Sequence, residues 1–104
     1  MATSKQTIAS LTELLGPGAR ARAMMGEYVL YWRERVVGGV YDERLLLKDV
    51  PAVREAVPDA PLEDPYPGAK PARRLPIPKD EQEAGALVEV LEAVWEQVPA
   101  PRSR

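Results

Sequence analysis

The most informative segment of this chain is Arg22-Ala-Met-Met-Gly-Glu-Tyr-Val-Leu-Tyr-Trp-Arg-Glu-Arg-Val-Val-Gly-Gly-Val-Tyr-Asp-Glu-Arg-Leu-Leu-Leu-Lys48. It contains three runs of aromatic, β-branched and aliphatic residues, a composition that is typical of β-strands. The runs span residues 23–32, 35–41 and 44–48. Two residues separate each run from the next, and connections this short join antiparallel neighbours. The stretch therefore predicts a three-stranded antiparallel meander, with Gly26 as a bulge or bend in its first strand.

An amphipathic helix is predicted on each side of this meander. Apolar residues recur at helical spacing from 4 to 15, and the Ser4 hydroxyl can cap the start of that helix. A second apolar stripe extends from 84 to 98. Asp80 and Glu83 precede it with the spacing of a capping box, which predicts where this last helix begins.

The segment between the meander and the last helix is rich in proline. The pattern predicts a short helix at 49–57, then a loop at 58–78 interrupted by a short edge strand that starts near 72 and ends at 75 or 77. The predicted fold class is α+β: an antiparallel sheet, made of the three-stranded meander plus one or two further short strands, packed by an N-terminal and a C-terminal helix. We expect a single domain over residues 1–104, with an ordered core from 4 to 98.

The composition excludes several kinds of chemistry. The 104 residues include no cysteine and no histidine, which rules out disulfides, thiolate sites and imidazole proton shuttles. We therefore expect a protein that is not an enzyme and that has no cofactor and no metal site. The net charge of -2 disfavours non-specific binding of nucleic acid. No apolar run approaches the ~20 residues of a membrane span, so we expect a cytoplasmic protein with no membrane partner.

A set of basic residues forms the first candidate site, a face for anions or nucleic acid. Arg20 and Arg22 share a face if they lie on one strand, because side chains alternate along a strand. Arg73 and Arg74 are expected on a neighbouring edge. The competing interpretation is ordinary surface charge, paired in part with the 16 acidic residues. Further basic residues of the same set are Arg33, Arg35, Arg44, Lys48 and Lys70.

The second candidate site is an interface or pocket built from large apolar residues. Its members are Met24, Met25, Tyr28, Tyr31, Trp32 and Tyr66. Residues of both faces are apolar in the run 28–32, which indicates a strand covered on both sides or a strand that meets a partner. Gly38-Gly39, in mid-strand, leaves room for a packed side chain or for the close approach of a ligand or partner. Core packing is the competing interpretation for the methionines.

Four motifs together resemble the TfoX/Sxy N-terminal domain family. Arg22-Ala-Met-Met-Gly-Glu-Tyr-Val-Leu-Tyr31 looks like the family's Arg-x-Met-Phe/Met-Gly-x-Tyr start. Val36-Val-Gly-Gly-Val-Tyr41 and Leu45-Leu-Leu-Lys48 resemble its second and third strands. Pro65-Tyr-Pro-Gly-Ala-Lys70 is similar to its loop ahead of the last strand and helix. The resemblance covers residues 8 to 98.

The resemblance implies a domain of the kind found in bacterial regulators of competence genes. There the domain is thought to act in transcriptional co-activation and is often joined to a C-terminal helical domain, and its motifs contain no catalytic residues. We therefore expect a non-enzymatic regulatory or protein-interaction domain, with a protein partner and a homodimer. Two alternatives stay open: a nucleic-acid-associated transcriptional regulator that uses the arginine face, and a small-ligand binder with a pocket near Met24, Met25, Tyr66 and the strand glycines.

Overall fold

In the computed structural model, which describes residues 3–100, three helices and six strands form an α+β fold. The helices are α1 (Lys5–Leu15), α2 (Pro51–Ala56) and α3 (Glu81–Trp95). The strands are β1 (Ala19–Met24), β2 (Glu27–Trp32), β3 (Arg35–Tyr41), β4 (Arg44–Lys48), β5 (Leu62–Glu63) and β6 (Ala72–Leu75). All neighbouring strands are antiparallel, in the order β1-β2-β3-β4-β6-β5. The predicted fold class is confirmed.

The meander has four strands, because a turn interrupts the predicted first strand at 23–32. Met25 and Gly26 have positive φ angles of 51° and 87° and reverse the chain between β1 and β2. Two successive positive φ angles are the geometry of a two-residue type I′ hairpin, whose twist matches that of the flanking strands. The prediction of one strand bent at Gly26 was therefore wrong, and the chain gains β1 as an additional strand.

The next two hairpins use the same backbone geometry without a glycine. The φ angles are 48° and 69° at Arg33 and Glu34, and 53° and 62° at Asp42 and Glu43. Residues other than glycine, asparagine and aspartate adopt such φ angles at a cost in free energy. The strand pairing on either side of each turn must offset this cost. The two connections predicted between the strands are confirmed as tight turns.

The two long helices begin where their capping residues predict. The Thr7 N–H donates to the Ser4 hydroxyl oxygen at 3.1 Å, so α1 starts directly after Ser4. The Glu83 N–H donates to the Asp80 carboxylate at 2.8 Å, and the Glu83 carboxylate accepts from the Lys79 N–H at 2.9 Å. Each cap satisfies a backbone N–H that the first helical turn leaves without a partner. Within residues 3–100, no helix combines the length and the apolar character that a membrane span requires.

A hydrophobic core lies between the three helices and one face of the sheet. The fully buried helix residues are Leu11, Val53, Leu91 and Val94. The strands contribute Leu30, Trp32, Val37, Val40, Leu45, Leu47 and Leu75. Burying one such aliphatic side chain stabilises the fold by roughly 1.5–3 kcal/mol, so this core is the main source of stability.

The residues ahead of α1 are tied to the turns of the meander by a set of hydrogen bonds, which we call the N-terminal clasp. The Thr3 hydroxyl donates to the Glu27 carboxylate at 2.7 Å and accepts from the Glu43 N–H at 3.1 Å. The Glu43 carboxylate accepts from the Ser4 N–H and from the Thr7 hydroxyl, each at 2.6 Å. The clasp fixes the start of α1 over the β1–β2 and β3–β4 turns.

The strand predicted at 72–75 is present, but its predicted place at the sheet edge was wrong. β6 lies between β4 and β5. Leu75 is its last residue, so Pro76 and Pro78 follow the strand and remove no hydrogen bond from it. The edge position belongs to β5, which is two residues long.

Candidate functional site

The candidate site is the face of the sheet turned away from the core, which we call the helix-free face. Side chains alternate along a strand, so the neighbours of the core residues point to this opposite side. The strand register places the following residues there: Arg20, Arg22, Met24, Glu27, Val29, Tyr31, Val36, Gly39, Tyr41, Arg44, Leu46, Lys48, Ala72, Arg74 and Glu63.

Charge is divided unequally between the two layers of the fold. Among the residues just named, the basic side chains are Arg20, Arg22, Arg44, Lys48 and Arg74, and the acidic ones are Glu27 and Glu63. By contrast, α3 carries glutamates at 81, 83, 89 and 92 and no basic residue. The net charge of -2 therefore conceals a basic sheet face and an acidic helix layer. This separation makes the electrostatic potential at the sheet face more positive, which favours binding of an anionic partner there.

A groove of about 690 Å³ lies on the helix-free face, between the central strands and the 65–71 loop. Its lining includes Val29, Val36, Tyr41, Leu46, Lys48 and Tyr66. This volume is within the range of pockets that hold small molecules or an anchoring side chain of a partner. We call this concavity the groove.

Leu46 and Gly39 form the floor of the groove. Leu46 is buried although it points away from the main core, because the 65–71 loop covers this side of β4. A Cβ atom on Gly39 would lie 2.6 Å from the Tyr28 carbonyl oxygen and would also meet the Tyr41 ring. Glycine is therefore required here for the ring of Tyr41 to lie close to the strand.

Two tyrosines form one wall of the groove. The ring centroids of Tyr41 and Tyr66 are 6.1 Å apart, and the rings are tilted by 52°. Burial raises the pKa of the Tyr41 hydroxyl above its ordinary value, and the nearby Tyr66 and Glu27 add to the increase. The Tyr41 phenol therefore keeps its O–H donor to a higher pH than an exposed tyrosine does.

Two lysines supply positive charge at the groove. Lys48 is half-buried on β4, and Lys70 is exposed on the loop. Neither ammonium group forms an ion pair with another side chain in the part of the chain that the structure describes. An apolar floor with two unpaired cations suits a ligand that carries a carboxylate beside an apolar group.

The arginines at the other end of this face are neutralised in part by Glu63. Arg44 Nη1 is 2.6 Å from one oxygen of the Glu63 carboxylate, and Arg74 Nη1 is 3.3 Å from the other. The hydrogen bond from Arg44 lowers the pKa of the Glu63 carboxyl below its ordinary value, with a further contribution from Arg74. This arrangement holds β5 against β4 and β6.

The structure does not bring the four predicted arginines together. Arg20, Arg22 and Arg74 lie on the helix-free face, but β2, β3 and β4 separate β1 from β6, a distance of about 19 Å at normal strand spacing. Arg73 points to the other face, where it pairs with Asp49 at 3.0 Å. The predicted neighbouring edges are therefore wrong, because β1 and β6 are not adjacent.

The two arginines of β1 have different surroundings. Arg20 Nη2 is 3.0 Å from the Glu34 carboxylate, and its guanidinium lies 4.1 Å from the centre of the Tyr31 ring. Arg22 is exposed, and within residues 3–100 its side chain forms no hydrogen bond or ion pair. Arg22 is thus available to an anionic partner. Arg20 would have to give up its ion pair with Glu34 to bind one, and an exposed ion pair of this kind contributes little to stability.

The predicted apolar interface is also divided between different places. Tyr28 and Trp32 lie on the core side, where the Trp32 indole N–H donates to the Glu92 carboxylate at 3.1 Å. Tyr31 is on the helix-free face. Tyr66, 54% exposed, lines the groove together with Gly38 and Gly39. The methionines do not line it: Met24 and Met25 are 44% and 98% exposed at the β1–β2 turn.

A second concavity, of about 720 Å³, is formed by the end of α2, the connection to β5 and part of β6. Its charged lining residues are Asp59 and Arg74, and Arg74 is already paired with Glu63. Across residues 3–100, no group of three acidic side chains comes close enough together to hold a metal ion. The groove is therefore the better candidate site.

The sequence did not indicate Leu46 as a site residue, and it placed Lys48 and Lys70 only in the general basic set and not at a groove. Three consecutive leucines, 45–47, are a usable signal, because a strand that is apolar at successive positions must be covered on both faces. The two lysines belong to the basic set noted above, but they are 22 residues apart in the chain. Only strand pairing brings them to one groove.

Comparison with known proteins gives one informative relative. No protein-family model matches the chain, and no solved structure matches it. A protein of Spirochaeta aurantia, named uncharacterized 12.7 kDa protein in trpE 5′region, is 37% identical over 107 aligned positions. The alignment covers 100% of this chain and 90% of that protein. Identity of this extent over nearly both full lengths shows that the chain belongs to the same family as the Spirochaeta aurantia protein.

Proposed function

We propose that this chain is a non-enzymatic regulatory domain of the TfoX/Sxy type, which binds a protein partner in the cytoplasm through its helix-free face. The observation that carries the proposal is the combination, on the sheet face that no helix covers, of a basic surface and an apolar groove. Helices bury the other face of the sheet. The side opposite the core is thus the part of the fold that keeps both charge and apolar surface available to a partner.

The groove supports a partner segment that is acidic and partly apolar. The half-buried Val36 provides apolar surface in the groove, and Tyr66 provides an exposed aromatic side chain of the kind enriched at interfaces. The ammonium groups of Lys48 and Lys70 can form ion pairs with carboxylates of the partner. A partner with an aliphatic or aromatic residue beside an acidic residue would satisfy both parts of the site.

The chemistry of the groove supports binding rather than catalysis. Its ionisable lining groups are the two lysines, the two tyrosines and Asp49. The hydrogen bond from Arg73 holds the pKa of the Asp49 carboxyl below its ordinary value, so this group is a poor general base. The elevated pKa of Tyr41 likewise makes it a weak nucleophile. These properties favour recognition of a partner over turnover of a substrate.

Site-specific photo-crosslinking tests the proposal. A benzophenone amino acid replaces Tyr66 at the groove or, as the matched control, the exposed Glu89 on the acidic helix layer. We expect a discrete protein adduct from position 66 and none from position 89. We also expect Lys48→Glu to abolish that adduct. Equal adducts from both positions, or an adduct that Lys48→Glu does not change, would contradict the proposal.

Homodimerisation of this domain stays a prediction of the TfoX/Sxy interpretation. Light scattering after size exclusion measures it directly. A monomeric mass at every concentration tested would contradict it and leave the heterologous partner as the proposed ligand of the helix-free face.

Nucleic acid is the second candidate partner, and the basic sheet face is the observation that favours it. Arg20 stacked on Tyr31 and the exposed Tyr66 are groups on which bases can stack. Anisotropy with labelled single-stranded and duplex DNA of about 16 nucleotides tests this candidate at two salt concentrations. It predicts salt-sensitive binding that Arg22→Ala and Arg74→Ala weaken. Arg54→Ala, on α2 in the helix layer, is the matched control and should have no effect.

A further inference from the structure

The outer edge of the sheet at β1 is built for pairing with another strand. Within residues 3–100, β1 pairs with β2 on one side and with no strand on the other. It is six residues long and contains neither proline nor glycine. The opposite edge differs, because β5 has two residues and lies between Pro61 and Pro65. Prolines and short length protect an edge from pairing, and β1 has neither protection.

The hydrogen-bond pattern shows which backbone groups of β1 point outward. The Arg33 N–H donates to the Gly18 carbonyl at 2.8 Å, so Gly18 faces β2, and alternation turns the even-numbered residues of β1 toward β2 as well. The odd-numbered residues, Ala19, Ala21 and Ala23, therefore direct their backbone groups away from the sheet. The Ala19 N–H already donates a hydrogen bond to the Gly16 carbonyl oxygen at 3.0 Å, so an added strand cannot accept from it. Ala21 and Ala23 each offer a donor and an acceptor to an added strand.

The side chains of β1 differ sharply between its two faces. The three alanines point to the helix side, where α1 lies against β1, and Ala19 and Ala21 are half-buried while Ala23 is exposed. Arg20 and Arg22 point to the helix-free face. An added strand would place its residues within about 5 Å, Cβ to Cβ, of these side chains.

The two arginines discriminate between possible strands. Antiparallel pairing of two copies of β1 centred on Ala21 places Arg20 opposite Arg22, and pairing centred on Arg22 places Arg22 opposite itself. Like charges directly opposite each other destabilise a strand pair. A strand with carboxylates at these positions would instead gain two opposite-charge contacts. The same residues thus disfavour a second copy and favour an acidic strand.

We propose that the β1 edge binds an extended acidic segment of a partner protein, which adds to the sheet as a seventh strand. Its carboxylates occupy alternate positions and face Arg20 and Arg22. The residues between them are apolar and pack on the alanines beside α1. Main-chain hydrogen bonds to Ala21 and Ala23 provide affinity, and the alternation of side chains provides register and specificity.

This inference names a second surface and does not depend on the groove. It extends the proposed function, since it specifies the secondary structure and charge pattern of a partner segment. β2 and β3 separate β1 from β4, where Lys48 lies, so variants of the two surfaces can be tested separately.

A peptide titration tests the inference. The probe is Glu-Val-Glu-Val-Glu-Val-amide with fluorescein on its N-terminal amine, and the control is Glu-Glu-Glu-Val-Val-Val-amide with the same label, which has the same composition and charge. We expect the alternating peptide to bind at least about tenfold more tightly, because the permuted peptide cannot place valine and glutamate on opposite faces. Equal affinity for the two peptides would overturn the inference.

Backbone methylation tests strand addition without altering the protein. One peptide carries N-methyl groups on alternate amides, and a second carries them on the remaining amides. Because alternate amides of a strand point in opposite directions, one of the two peptides should lose binding and the other should retain it. Loss in both, or in neither, would contradict pairing along a strand edge.

Protein variants locate the binding site. Arg22→Glu should weaken binding about tenfold or more by placing like charges opposite each other. Ala21→Pro should do the same, because it removes an outward N–H and leaves the bonds to β2 intact. Lys48→Glu, in the groove, should leave the affinity unchanged.

If Lys48→Glu abolishes binding and Arg22→Glu does not, the peptide occupies the groove. A wild-type dimer that Ala21→Pro dissociates would assign the edge to a second copy. Either result overturns the inference.

Discussion

Arg73 and Arg74 follow each other in the chain and lie on opposite faces of β6. Arg73 is 17% exposed at its side chain, and its Nη1 donates to the Ala60 carbonyl at 2.9 Å while its Nε pairs with Asp49. Arg74 is 50% exposed and pairs with Glu63 on the helix-free face. One arginine thus holds the connection after α2 in place, and the other belongs to the candidate binding surface.

The two arginines should therefore respond differently to truncation. Arg73→Ala removes the hydrogen bonds of a mostly buried guanidinium and should lower the free energy of unfolding by about 2 kcal/mol. Arg74→Ala removes an exposed ion pair and should change stability little. Urea denaturation followed by tryptophan fluorescence measures both. Equal losses in the two variants would contradict the assignment of the arginines to different faces.

Gly38 and Gly85 should respond in opposite directions to alanine. A Cβ on Gly38 would overlap the Leu46 carbonyl oxygen and lie 2.8 Å from the Leu47 Cα, both backbone atoms that cannot move freely. Gly38→Ala should therefore destabilise the protein by about 2 kcal/mol through overpacking. Gly85 on α3 has no atom within 4 Å of such a Cβ, so Gly85→Ala should stabilise the helix by about 0.5–1 kcal/mol.

Thermal melts of the two glycine variants, measured side by side, check this prediction. The variants share the same chemical change, so a common effect of alanine on the unfolded chain cancels in the comparison. A Gly38→Ala protein as stable as the wild type would show that β4 can move away from β3 at little cost.

The N-terminal clasp should make stability depend on pH in the acidic range. The hydrogen bond from the Thr7 hydroxyl and then that from the Ser4 N–H lower the pKa of the Glu43 carboxyl below its ordinary value of 4.5. Desolvation raises the pKa of Glu27, but hydrogen bonds from Thr3 and from the Asp42 N–H outweigh it, and this pKa is also lowered.

A carboxyl whose pKa is lower in the folded state than in the unfolded state stabilises the fold above the unfolded pKa. That stabilisation is lost as the pH falls through the folded pKa. We expect the free energy of unfolding to decrease as the pH falls below 4.5. Thr3→Val, which removes the shared hydroxyl, should flatten this decrease. Thr12→Val, whose hydroxyl bonds the Ile8 carbonyl inside α1, is the isosteric control and should leave the pH dependence intact.

A single substitution in the β1–β2 turn should increase the stability of the protein. Met25 is 98% exposed and has a φ of 51°, a conformation that asparagine adopts more readily than methionine. Met25→Asn creates the Asn-Gly pair that type I′ turns favour and should recover part of a strain of about 1 kcal/mol. The melting temperature of Met25→Asn should exceed that of Met25→Ala, which removes the same exposed side chain without relieving the backbone. The reverse order would contradict the turn assignment.

The parts of the fold that depend on neighbours in the chain could be predicted from local sequence patterns. Ser4 and Asp80 mark the starts of α1 and α3, because a cap acts on N–H groups two or three residues away. The runs 35–41 and 44–48 are strands as predicted, since their composition and short connections are local properties. The missed boundary at Met25 is also local, and it was missed because methionine is an uncommon residue at a positive φ angle.

The tertiary structure alone decided which residues form the candidate site. β6 inserts between β4 and β5, and this pairing over long sequence separations moves Arg74 far from Arg22 and turns Arg73 to the other face. The same pairing gathers Lys48, Leu46 and the 65–71 loop around one groove. Strand order and register depend on how the whole core packs, so no local pattern encodes them. The acidic composition likewise conceals the basic sheet face, because net charge carries no information on which layer holds each charge.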